Sequence, residues 1–142
     1  MKILIMGLPN SGKTTLAKAL SKELNAPHIN ADEIRSLYDD WDFSHEGRIR
    51  QAKRMGMLAD NTLTQSKYVI CDFVCPTKQT RNAFGNALVI WMNTIKHSKY
   101  EDTNKIFEQP TNVDICIVRG LTIKQEVNII MEFLNGTFCK SN

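Results

Sequence analysis

The chain predicts a three-layer α/β fold, a five-stranded parallel sheet with helices on both faces. Three features of the sequence lead there. Short apolar runs alternate with stretches of helical periodicity along the 142 residues, the pattern of a parallel sheet joined by crossover helices. The first apolar run, residues 2–6, feeds directly into Gly7-Leu8-Pro9-Asn10-Ser11-Gly12-Lys13-Thr14, a G-x-x-x-x-G-K-T loop. Residues 15–24 then place Leu16, Ala19, Leu20 and Leu24 on one helical face. Strand, glycine loop and helix in that order is the context a phosphate-binding loop needs, so the fold is of the P-loop NTPase type.

The loop explains its own composition. Glycines let successive backbone N–H groups turn inward on a phosphate where a Cβ would obstruct them. The helix start adds about half a positive charge at the same point. Lys13 is placed to reach the β- and γ-phosphates, and the Thr14 hydroxyl to ligate Mg²⁺. Gly7, Asn10, Ser11, Gly12, Lys13, Thr14 and Thr15 therefore form the expected site for ATP and Mg²⁺.

The remaining elements follow in order. Residues 27–30 read as the second strand and 31–37 as a short helix at its carboxyl end, where open α/β sheets bind ligands. Residues 44–65 predict a long helix, started by Ser44 with Gly47 and striped by Ala52, Met55, Ala59 and Leu63. The third strand spans 68–74 and is ended by Pro76. A short helix follows near 77–84, and a fourth strand at 87–92. Residues 93–112 are polar, lack strong periodicity and predict a mobile flap. A fifth strand at 113–118 and a helix over about 122–134 complete the pattern.

Composition fits one domain over residues 1–142, with 42% hydrophobic and 23% charged residues. A net charge of +3 is too small to argue for a nucleic-acid partner. No apolar stretch approaches the ~20 residues of a membrane span. The chain opens directly on a strand, so no signal or transit peptide and a cytoplasmic location are expected. Cys71 and Cys116 fall in predicted buried strands, Cys75 just after one and Cys139 near the end. Without a zinc-type C-x-x-C pair, they read as reduced, mostly buried thiols. His28, His45 and His97 are not clustered, which argues against a zinc site.

A phosphate cradle alone does not separate a kinase from a hydrolase; the second site decides. Asp32 and Arg35 lie one helical turn apart beyond strand two. The acid suits a hydroxyl proton or a hydrated Mg²⁺, and the arginine an anionic acceptor; an exposed intrahelical ion pair is the other reading. Arg48, Arg50, Lys53 and Arg54 form either a solvated face or, with Phe43, a grip on a nucleotide-like acceptor. Asp72 ends an apolar strand, the position of a carboxylate that orients Mg²⁺-bound water. Trp91 and Phe84 read as core.

Taken together, the glycine loop, Asn30-Ala31-Asp32-Glu33-Ile34-Arg35, Asp42-Phe43-Ser44-His45-Glu46-Gly47-Arg48, Gln51–Gly56, Phe73–Pro76 with Arg81, Lys105–Phe107 and Pro110 resemble the adenylylsulfate kinases. The likeness covers roughly residues 2–118. It implies phosphoryl transfer from ATP to the ribose 3′-hydroxyl of adenosine 5′-phosphosulfate (APS), a small nucleotide acceptor, and a homodimer. It implies that Asp32 is the catalytic acidic residue near the acceptor hydroxyl, and that Arg35 and Arg48 hold the phosphosulfate. Phe43 and Phe107 would sandwich the acceptor adenine, Gln51 and Lys105 would be polar contacts, and Phe73, Val74 and Cys75 would line the pocket. The chain departs from the family pattern at Asn30 (Asp in the family), Gln51 (Asn), Cys75 (Ser) and Asp72 (small or hydroxylated), and its lid is shorter and less basic. A cousin acting on another small anionic alcohol or a nucleotide or polynucleotide end, and a nucleotide-binding module or slow ATPase, are the alternatives.

Overall fold

The computed structural model describes residues 1–136. Five strands, β1 (Lys2–Met6), β2 (His28–Asn30), β3 (Val69–Asp72), β4 (Leu88–Asn93) and β5 (Ile115–Val118), form one sheet in the order β2-β3-β1-β4-β5. Every neighbouring pair is parallel. Chain direction across the sheet reverses at β1, whose neighbours are β3 on one side and β4 on the other. Loops leaving β1 and β3 therefore part above the carboxyl ends and open a crevice there.

Alternation along β1 explains the two cores. Ile3 and Ile5 face one side with Leu16, Ala17 and Leu20 of α1 (Lys13–Leu24) and Val127 and Ile130 of α6 (Ile123–Leu134). Leu4 and Met6 face the other with Ala52, Met55 and Ala59 of α3 (His45–Thr62), and with Phe84 of α4 (Lys78–Phe84). Gly56 is what lets α4 approach α3: a Cβ on it would lie 2.4 Å from the Phe84 carbonyl oxygen. Lys2 caps this contact, its buried ammonium donating to the Phe84 carbonyl at 2.8 Å and lying 3.2 Å from Asp60 Oδ1. The Ser44 hydroxyl accepts from the Gly47 amide at 3.1 Å and so starts α3 as its sequence predicts.

The structure corrects four expectations. The third strand stops at Asp72, so Phe73, Val74 and Cys75 are loop. Cys75 takes a left-handed φ of 46°, which a strand cannot continue through. The segment 93–112 is not featureless: α5 (Glu101–Ile106) lies inside it. Six residues are too few to print a periodicity, and side-chain bonds stabilise the turn. Asn104 Oδ1 accepts from both the amide and the hydroxyl of Ser98 at 2.8 Å, while its Nδ2 donates to the Ser98 carbonyl at 2.7 Å. Cys116 is exposed because β5 is an edge strand whose alternate residues face outward. The first helix starts at Lys13 rather than Thr15. Cys71 and Cys75 are buried as expected, and Cys139 lies outside the described residues. Among the described residues no helix is long and apolar enough to cross a membrane.

Candidate active site

The glycine loop turns on backbone that only glycine tolerates at two places. Gly7 has φ 149°, and a Cβ there would meet the Met92 carbonyl oxygen at 2.8 Å; Gly12, with φ 95°, caps α1. Lys13 is buried against the loop, its Nζ donating to the Leu8 carbonyl at 2.8 Å. Burial pulls the Lys13 ammonium down to about 8, against the opposing charges of Asp72 and Asp32. Desolvated and held over the cradle, it is a cation whose solvent has been replaced by the place a phosphate would take. Among the described residues the buried Ser11 hydroxyl in the same loop has no hydrogen-bond partner, an orphan that a phosphate oxygen would satisfy.

Beside the loop stands the carboxylate that the end of β3 supplies. Thr14 Oγ1 donates to Asp72 Oδ2 at 2.6 Å. Burial alone would raise the Asp72 carboxyl, but hydrogen bonds from His28, Thr14 and Asn30 outweigh it and hold the group below its ordinary value. A hydroxyl and an ionised carboxylate make an all-oxygen donor set of the kind a hard cation such as Mg²⁺ takes.

Facing the loop is a cleft of about 1190 Å³. Pockets for one small ligand measure roughly 300–1,000 Å³, so this cleft is larger than one such pocket. Its walls bring together Asn10, Gly12, Lys13, Thr14, Thr15, Asp32, Arg35, Phe43, Arg48, Gln51, Asp72, Phe73, Val74 and Cys75. Asp32 stands exposed in the first turn of α2 (Ala31–Tyr38), with no salt bridge to Arg35 among the described residues. The intrahelical ion pair is therefore absent there.

The basic run of α3 divides in two. Arg50 bridges Asp40 at 2.8 Å and Asp42 at 3.1 Å, and Arg54 bridges Asp40 at 2.9 Å. These hydrogen bonds hold the Asp40 carboxyl well below the usual carboxylate range. Arg35 and Arg48, by contrast, form no salt bridge to any described carboxylate. Arg35 is 5% exposed, its Nη1 donating to the carbonyls of Asp40 and Asp42 and its guanidinium lying 4.4 Å from the Phe43 ring centre. Arg48 donates to the Phe43 carbonyl at 2.9 Å and to the Thr103 hydroxyl at 3.2 Å. Burial lowers both guanidiniums from their ordinary value. Two desolvated cations flank one exposed aromatic ring, and backbone carbonyls fix their geometry without neutralising them.

The opposite wall is fastened by one side chain. Arg81 donates to the carbonyls of Cys75 and Pro76 at 3.1 Å each and of Glu108 at 2.5 Å, and lies over the Phe107 ring. It ties the loop after β3 to the root of the segment carrying α5. The other root is tied to the glycine loop, where Thr94 Oγ1 donates to the Ser11 carbonyl at 2.7 Å.

Three expected contacts are drawn elsewhere. Lys105 and Phe107 do not line the cleft; Lys105 is exposed and Phe107 is half-buried under Arg81. The ring that pairs with Phe43 is Trp41, 6.5 Å away. Gln51 reaches the wall, but its amide donates to the Ala31 carbonyl at 3.0 Å and accepts from Arg54, which packs α3 on α2. Sequence reasoning missed the cleft residues Trp41, Lys99, Tyr100, Glu101, Asp102 and Thr103. The last five run from Lys99 into the first turn of α5, which leaves no periodic signal. It also missed His28, although that residue stands two places before Asn30 on the same face of a strand.

Fold and cleft together define the class, a P-loop fold: one half of the crevice carries the glycine-loop cradle, and the other carries two arginines that form no salt bridge to a described carboxylate. The chain belongs to the adenylylsulphate kinase family, whose model matches residues 1–120. It is 36% identical over 87 residues to a probable adenylyl-sulfate kinase of Aeropyrum pernix, covering 55% of this chain and 46% of that one. The chain thus spans less than half the length of that curated relative. It is 29% identical over 115 residues to a shikimate kinase of Legionella pneumophila, covering 76% of this chain and 66% of that one. The solved APS kinase CysC of Mycobacterium tuberculosis, in complex with AMPPNP and APS, superposes with a TM-score of 0.79. At 16% identity over 94% of this chain and 96% of the other, that likeness is one of fold.

Proposed function

We propose that the chain transfers the γ-phosphoryl group of ATP to the 3′-hydroxyl of APS. The observation that carries the reading is the pair of arginines beside the Phe43 ring, Arg35 buried and Arg48 half-buried, which line the same cleft as Lys13 and form no salt bridge to a described carboxylate. Phosphoryl transfer needs little covalent help from a protein; positioning and charge neutralisation supply most of the rate. The amides of Gly7–Thr15 and Lys13 bind the triphosphate. Thr14 and Asp72 would hold Mg²⁺, which supplies charge neutralisation on the transferring oxygens. Arg35 and Arg48 grip the acceptor's anionic group, Phe43 stacks on its base, and Asp32 takes the proton of the attacking hydroxyl. Phe73, Val74 and Cys75 form the floor beneath it.

A second reading, transfer to another small anionic alcohol, is favoured by one observation. The start of α5 adds Glu101 and Asp102 to the cleft wall, and Asp102 lies close enough to Arg48 to act on its charge. Both acids reduce the positive field available to a phosphosulfate. The experiment is incubation with γ-labelled ATP and a panel of acceptors that includes APS, shikimate and nucleoside monophosphates. APS-dependent labelled product is expected; labelling of another alcohol with none of APS overturns the reading.

A further inference from the structure

Asp72 closes β3 beside Asn30, which closes β2, and the two are register partners in the sheet. Two residues earlier in each strand, His28 pairs with Ile70, so His28, Asn30 and Asp72 rise from one face of the sheet. Asp72 is 2% exposed, and three side chains converge on its carboxylate. His28 Nε2 donates to Oδ1 at 2.5 Å, Thr14 Oγ1 donates to Oδ2 at 2.6 Å, and Asn30 Nδ2 lies 3.3 and 3.2 Å from Oδ1 and Oδ2.

The division of labour between the two oxygens matters. A carboxylate at a strand end turns about its terminal torsion, for which the wells are broad. With Oδ1 engaged by His28, Oδ2 faces Thr14. Thr14 gives its one proton to Oδ2, which leaves a lone pair of its oxygen for the cleft besides the one that Asn30 reaches, the arrangement a cation on the glycine loop requires. Asn30 reinforces this by donating to the carboxylate, and its Nδ2 also lies 3.4 Å from Thr14 Oγ1. No acid stands at position 30, so at this strand pair the carboxylate comes from β3 and its orientation from β2.

We propose that His28 is a positioning residue for the metal–triphosphate complex, fixing through Asp72 Oδ1 the carboxylate that orients the Thr14 hydroxyl. The proposal rests on the nucleotide-binding half of the function proposed above and needs no acceptor.

The test is the affinity of the full chain for a fluorescent ATP analogue, measured with excess Mg²⁺ and again with a chelator. The ratio of the two dissociation constants is the gain due to the metal. Outer partners of metal-holding groups typically contribute 10- to 100-fold in metal affinity. His28→Ala should therefore shrink the gain by about 10-fold or more, while leaving the affinity in chelator unchanged, which also reports an intact fold. His28→Gln, which keeps a donor, should recover part of the gain. An unchanged gain in His28→Ala, or equal losses with and without Mg²⁺, overturns the proposal. If APS is not phosphorylated while His28→Ala still loses the gain, the acceptor assignment fails and this inference stands; phosphorylation of APS with an unchanged gain removes this inference alone.

Discussion

Removing Arg48 separates acceptor binding from nucleotide binding. Its guanidinium donates to the Phe43 carbonyl and the Thr103 hydroxyl, and no described carboxylate bridges it. Phe43 is 51% exposed and stays solvated in Arg48→Ala, while the Thr103 hydroxyl, 7% exposed, loses one donor at a cost of about 1–3 kcal/mol, so the variant's Tm is measured beside its kinetics. What is lost is a charge-assisted hydrogen bond to the anionic acceptor, about 1.5–3 kcal/mol. At roughly 1.4 kcal/mol per factor of ten, the acceptor KM rises about 10- to 150-fold. The assay is steady-state transfer with the acceptor varied at saturating ATP, then ATP varied at high acceptor. Arg50→Ala is the control: Arg50 is engaged by Asp40 and Asp42, so both KM values should stay where they are. An unchanged acceptor KM in Arg48→Ala, or an equal rise in the KM for ATP, refutes the assignment of this cleft half to the acceptor.

Lys13→Ala should lower the transfer rate by about 10²–10³-fold or more, as loss of a preorganised charge does, with circular dichroism unchanged because, among the described residues, Nζ bonds only the loop's Leu8 carbonyl. Gly56→Ala trades about 1 kcal/mol of helix propensity for overpacking that costs about 1–3 kcal/mol. Its Cβ would meet backbone of α4 at 2.4 Å, and that carbonyl is also held by Lys2. A lowered Tm is expected, and an unchanged or raised Tm would mean that α4 yields freely. Burial pushes the Cys75 thiol up to about 12. At about pH 8 it stays protonated, since the thiolate forms only as pH nears that value. Iodoacetamide should therefore label exposed Cys116 and spare Cys75 until denaturant is added, read by peptide mass mapping.

Much of the site was legible because local chemistry writes itself into local spacing. A loop that must present successive amides to a phosphate needs glycine at fixed positions, and its lysine and threonine follow in the same turn. The spacing of Asp32 and Arg35 carries the helix that bears them, and the structure brings both to the cleft. The split of the α3 arginines was not legible. Arg48 and Arg50 differ in sequence by two places, yet one faces the cleft and the other bridges Asp40 and Asp42. Which cation stays uncompensated depends on where the loop between α2 and α3 returns.

The sequence by its own periodicity and motif already contained the strand and helix segments, their alternation and the phosphate cradle, because each is set by residues close along the chain. Tertiary structure alone decided the strand order that sets Asp72 beside Asn30 and within reach of His28. It also decided the anchoring of the α5 segment by Arg81 and Thr94 and the turning of Phe107 away from the cleft. Those pairings join residues tens of positions apart, and no local spacing encodes which distant partner a buried donor will find.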